Sequence, residues 1–129
     1  MTQRVTFSLL FAVLLTACGA ASQSAPDLPE SVSPGWKRNA ITAAADVPGS
    51  AANTKCWTTQ YTGPGTADVS VCRYKMEASA FDAVQRTPIA AQTVKFQENN
   101  FLVVLKWNGA PKASLTALIR ALQKSLNSK

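Results

Sequence analysis

The side chains able to do chemistry are few and widely spaced. The 129-residue chain holds three cysteines, seven acids and no histidine. Without an imidazole, no mechanism that needs a histidine base or ligand is open to it. The acids are Asp27, Glu30, Asp46, Asp68, Glu77, Asp82 and Glu98. No two of them have a spacing that suggests a catalytic dyad, and Asp82 falls where a helix cap is expected. Serine is plentiful, but there is no Gly-x-Ser-x-Gly elbow. A Ser–Lys pair is formally available in Lys112-Ala113-Ser114 and Lys124-Ser125. In a terminal helix such residues ordinarily face solvent. Phosphate-loop, dinucleotide and calcium-loop patterns are missing. The chain is therefore expected to be a non-enzyme that needs no cofactor and no metal.

The elements that must position these residues begin after a processing signal. Met1–Arg4 carries one base, and Val5–Leu15 is an uncharged, largely apolar run. Leu15-Thr16-Ala17-Cys18-Gly19 follows. A charged start, an apolar stretch of about 7–15 residues and small residues at a cleavage site make a secretory signal peptide. The run falls short of the roughly 20 apolar residues that a membrane span needs. Leu15-Thr16-Ala17-Cys18 resembles the lipobox of bacterial lipoproteins, a resemblance confined to residues 1–19. It implies that Cys18 is lipidated, becomes the new N-terminus and anchors the chain to the cell envelope. Gly19, where some lipoproteins carry a retention aspartate, implies the outer membrane facing the periplasm in a Gram-negative source. The alternative is an ordinary secretory signal cut near Ala20 or Ala21, which discards Cys18. Both readings export the protein.

Residues 1–17 are thus expected to be removed, and residues 18–35 to form the lipidated cysteine and a flexible tether. The stretch Gly19–Pro34 is dominated by proline, serine and alanine and has no helical or alternating pattern. Such composition cannot offset the entropy of ordering. At about 5–6 Å times √n, a flexible segment of this length spans roughly 20–24 Å, which holds the domain just clear of the headgroups.

Residues 36–129 are expected to form one α+β domain. Ala40–Asp46 reads as a strand, followed by a turn at Pro48-Gly49. Thr54–Tyr61 and Asp68–Met76 read as strands joined by Thr62-Gly63-Pro64-Gly65-Thr66. Ser79-Ala80-Phe81-Asp82 resembles a capping box opening a short helix to Arg86, with Ala80, Phe81 and Val84 as its apolar side. Thr93–Gln97 and Phe101–Trp107 form a hairpin. Leu102-Val103-Val104-Leu105 is apolar on both faces, so its strand should be central. Leu115, Leu118, Ile119, Leu122 and Leu126 make one helical stripe, with Lys124 near the negative end of the helix dipole. The order β-β-β-α-β-β-α implies a small two-layer sandwich, with both helices on one face of an antiparallel sheet.

With Cys18 consumed by the anchor, Cys56 and Cys72 remain as an even pair in an exported chain. They lie equally far from Pro64 on either side, so a hairpin centred there sets them directly opposite each other. Opposed Cα atoms in an antiparallel pair lie about 4.5–5.5 Å apart, within disulfide range. The same register pairs Trp57 with Val71. A redox or metal pair is the alternative, but there is no Cys-x-x-Cys spacing and no histidine to complete a zinc site.

The net charge of +6 bears on partners. Arg73, Lys75, Lys95 and Lys106 could mark the sheet face that the helices leave open, and meet anionic lipid or an anionic envelope polymer. Otherwise they keep a surface solvated. Nucleic acid is not expected as a partner outside the cell. Trp36, Trp57 and Trp107 are core or an exposed aromatic site, and an exposed edge strand could take a strand from another envelope protein. The expected function is a membrane-anchored lipoprotein with a binding or envelope-structural role. The alternative is an exported accessory enzyme or a regulator of a partner envelope enzyme.

Overall fold

The computed structural model describes residues 24–44 and 54–127. Cys18 and the signal segment lie outside the described residues, as do Pro48-Gly49. Seven strands and two helices follow in order: β1 (Ser31–Val32), β2 (Trp36–Arg38), β3 (Thr42–Ala44), β4 (Lys55–Thr62), β5 (Thr66–Arg73), α1 (Glu77–Arg86), β6 (Thr93–Glu98), β7 (Phe101–Asn108) and α2 (Lys112–Asn127). The strands form one antiparallel sheet in the order β1-β2-β4-β5-β7-β6, with β3 also on β4. The α+β class and the antiparallel sheet are those expected from the sequence.

The β4–β5 hairpin has the expected register: Cys56 pairs with Cys72 and Trp57 with Val71. Its tight turn needs glycine. A Cβ on Gly63 would lie 2.3 Å from the Gly35 carbonyl oxygen, and one on Gly65 would lie 2.6 Å from the Ala110 nitrogen. β7 is interior, between β5 and β6, and Leu102, Val103 and Leu105 are fully buried.

The helices do not share a face. Successive residues of a strand point to opposite sides. Val69, Val71, Val103 and Leu105 pack with Leu115, Leu118, Leu122 and Leu126 of α2. Cys72 and Leu102, one residue out of phase, pack with Ala80 and Ala83 of α1. The expectation of both helices on one face is therefore corrected, giving one helix on each side. The apolar run 102–105 requires this, because a strand buried on both faces needs cover on both.

The tether expectation is corrected as well. Leu28 is 2% exposed and belongs to the α2-side core. Pro26 is buried, Val32 packs on the same core, and Ser31–Val32 pairs with Trp36–Lys37. The Tyr61 hydroxyl donates to the Pro29 carbonyl oxygen at 2.6 Å. Residues 24–35 are thus part of the domain, because burial of Leu28, Val32 and Pro26 supplies what local composition lacks.

Local details also differ. Helix α1 starts at Glu77, with Met76 as an extended N-cap that makes no side-chain cap bond. Ser79 and Asp82 lie inside the helix. Its buried residues are Ala80 and Ala83, while Phe81 is 53% exposed. Of the strand expected at Ala40–Asp46, the described residues form a strand over Thr42–Ala44, and Ala45 and Asp46 lie outside the described residues. Arg38 pairs with Tyr61 and Thr42 with Thr58, so the outer strand fits one extra residue against β4. This β-bulge splits the edge into β2 and β3.

Candidate functional site

Three places, one buried and two at the surface, collect side chains singled out by the sequence. The first is the disulfide. Cys56 and Cys72 are bonded, with Cα atoms 4.0 Å apart. They are 4% and 0% exposed, beneath Ala80 and Ala83 of α1. Burial among apolar side chains fits a structural cross-link, because reactive thiols sit in accessible, electropositive surroundings.

The second surface is the part of the α1-side face that α1 leaves uncovered. Rows of directly paired residues cross it: Gln60, Asp68, Lys106 and Thr93, then Thr58, Ser70, Val104 and Lys95. Gln60 Nε2 donates to Asp68 Oδ1 at 2.9 Å. Thr42 and Thr58 hydroxyls lie 3.3 Å apart. Beside the bulge the face opens into a shallow polar cleft of about 440 Å³, lined by Asn39, Thr42, Thr58, Gln60, Asp68 and Ser70 among others. The bulge and its one-residue offset carry no local sequence signal, so the sequence alone does not reveal this cleft.

The third surface is an apolar groove at the edge of the sheet. Val94 of β6, Trp107 of β7 and Leu115, Thr116 and Ile119 of α2 line it, with Lys112 at its rim. Strand β6 is the outermost strand here. The Trp107 amide donates to the Gln92 carbonyl oxygen at 3.0 Å. By antiparallel alternation, Val94, Phe96 and Glu98 bond inward to β7, and the backbone groups of Thr93, Lys95 and Gln97 point outward.

The four candidate anion-contact residues are not brought together. Arg73 lies on the α2 side, its guanidinium carbon 5.1 Å from the Trp57 ring centre and 5.2 Å from that of Phe101. Its Nη1 donates to the Ser24 carbonyl oxygen at 3.0 Å. Lys95 and Lys106 are on the opposite face. Lys95 Nζ is turned to the Thr87 carbonyl oxygen at 2.6 Å, at the end of α1, and Lys106 is exposed. Lys75 is exposed in the β5–α1 connection. Of the tryptophans, Trp36 and Trp57 are buried and Trp107 lines the groove.

Among the described residues one titratable group is strongly shifted. Burial pushes the Tyr61 phenol up from 10.0 to about 12, partly opposed by the Arg38 guanidinium across the strand pair. Arg38 in turn faces Glu30, at 3.9 Å. Among the described residues no group of three or more His, Cys, Asp or Glu side chains is placed to hold a metal ion. No described helix is long and apolar enough to cross a membrane. These features define the class as a disulfide-linked α+β domain with a seven-stranded antiparallel sheet. Comparison with protein-family models, curated proteins and solved structures finds no match for the chain.

Proposed function

We propose that the protein is an exported bacterial lipoprotein, anchored through Cys18, whose folded domain has a binding or envelope-structural role and no catalytic one. The observation that carries the reading is the short distance in sequence between the lipobox-like Leu15-Thr16-Ala17-Cys18 and a domain closed by a disulfide. A structural disulfide fits an oxidising compartment, and the signal-like N-terminus leads to one. Lipid anchoring then supplies the membrane partner, since several acyl chains hold a protein stably where one does not.

The reading of the domain as a contact module is supported by how its reactive side chains are used. Both domain cysteines are spent in the buried disulfide, and Asp68 is engaged by Gln60. The open polar cleft and the Trp107 groove offer area for another envelope protein or an envelope polymer.

Mass spectrometry of the membrane-extracted protein tests the anchor. The expected N-terminal peptide begins at Cys18 and carries acyl mass, and Cys18→Ala releases the protein from membranes. An unmodified N-terminus beyond Cys18 sinks the reading.

A further inference from the structure

Ser24 and the groove belong to opposite poles of the domain. Ser24 is the first described residue, and Arg73 holds its carbonyl oxygen at one end of the sheet. That end carries Lys55, the direct partner of Arg73, and Lys75 just beyond β5. The Asn99 side chain donates to the Leu126 carbonyl oxygen at 3.0 Å, which places the last turn of α2 there too. The opposite end holds the Gly63–Gly65 turn, Asn108 and the first turn of α2. The groove lined by Val94, Trp107 and Leu115 lies toward that far end.

We propose that the pole carrying Lys55, Arg73 and Lys75 rests on the anionic phospholipid headgroups of the membrane that holds Cys18, so that the Trp107 groove faces away from the bilayer. The inference rests on the anchor reading given above.

Its geometry comes from chain length. The link from Cys18 to Ser24 can span at most about 20–22 Å, even fully extended. Strand β5 alone, from Arg73 to Thr66, covers roughly 23 Å at 3.3 Å per residue. The far pole can therefore approach the surface only if the link is stretched to its limit. At physiological salt a surface charge is felt over about 8 Å, so only the near pole senses the headgroups. Lys55 and Lys75 are exposed there, and Met76, 63% exposed, offers an apolar contact beside them. Glu77 and Glu98 lie at the same end and temper the attraction. The contact thus depends on the anchor, which raises the local concentration of the domain at the surface.

Amine labelling of the lipidated full chain in vesicles tests this, read by mass spectrometry as Lys55 and Lys75 modification relative to Lys106. In vesicles containing phosphatidylglycerol the ratio is expected to fall about three- to five-fold below that in phosphatidylcholine alone. High salt restores it. An acylated protein whose ratio is the same in both vesicles overturns the orientation while leaving the anchor intact. A protein without acyl mass on Cys18 overturns the anchor reading, and the orientation with it.

Discussion

Trp36 and Ser114 are joined across 78 positions of sequence: the indole Nε1 donates to the Ser114 carbonyl oxygen at 2.9 Å. Trp36 is fully buried, and Ser114 lies in the first turn of α2. The bond ties the short N-terminal strand β2 to the helix that covers the larger core. Trp36→Phe keeps most of the apolar area and loses the donor, so it should cost about 1 kcal/mol. Trp36→Ala also opens a cavity and should cost about 3–5 kcal/mol. Urea unfolding of both variants, followed by circular dichroism, checks the order. Equal losses for the two would remove the hydrogen bond from the account.

Leu28 separates a tether from a domain. If residues 24–30 were only a spacer, Leu28→Ala would leave stability unchanged. Buried at 2% in the α2-side core, the side chain should instead cost about 2–5 kcal/mol when truncated. Asp27→Ala, at an exposed neighbour, should stay within about 0.5 kcal/mol. The denaturation midpoints of the two variants give the comparison directly.

The Cys56–Cys72 link closes a loop with a sequence separation of 16. On the chain-entropy estimate it contributes about 3 kcal/mol, by restricting the unfolded chain. Reduction with a permeant thiol under mild denaturant should lower the midpoint accordingly. The double variant Cys56→Ala/Cys72→Ala should behave like the reduced protein. A reduced protein as stable as the oxidised one would contradict this.

Alkaline pH should destabilise the domain through Tyr61. Its folded value is raised to about 12 from 10.0, so folding favours the neutral phenol. That contribution is complete below pH 10 and is lost as pH rises from about 10 through about 12. Tyr61→Phe also loses the bond to Pro29, so it should be less stable at neutral pH and less sensitive to alkali. Thermal melts at pH 8, 10 and 11 compare the slopes. Parallel slopes for the two proteins would refute the assignment.

Gly63 has a steric role that conformational freedom does not explain. An added Cβ would fall 2.3 Å from the Gly35 carbonyl oxygen and 2.8 Å from its carbon, both backbone atoms that cannot swing aside. Gly63→Ala should therefore lower stability by about 1–3 kcal/mol. Pro64→Ala, next in the same turn, should cost less. Differential scanning calorimetry separates them.

Much of the central sheet is legible because its signals are local. The Gly63-Pro64-Gly65 turn fixes where β4 and β5 fold back, and register then follows residue by residue to Cys56 and Cys72. The leucine stripe of α2 and the doubly apolar 102–105 run are equally local. The faces taken by the helices are not local, since an amphipathic helix shows that it has a buried side but not which sheet face receives it. The apolarity of Leu102 and Val103 on opposite sides held the answer. Residues 24–35 escape local reading for a related reason. One leucine and one valine among prolines and serines have no period, and only Tyr61, Trp36 and α2 give them a core. The four candidate basic residues do not share a face, because the sequence proximity of Arg73 and Lys75 says nothing of Lys95 and Lys106 across the sheet.

The two margins of the sheet are unequal. On one side the bulge and the Ser33-Pro34-Gly35 turn break the margin, among the described residues, into pieces of two and three residues. On the other, β6 runs for six residues. Continuous growth of a sheet from copy to copy needs two long margins that match, head to tail. Here a long margin would meet only fragments, so open-ended fibres are disfavoured, and any pairing through β6 closes on itself as a two-fold pair. If the proposed anchor concentrates the chain on a membrane surface, this asymmetry protects it from polymerising along its own strands.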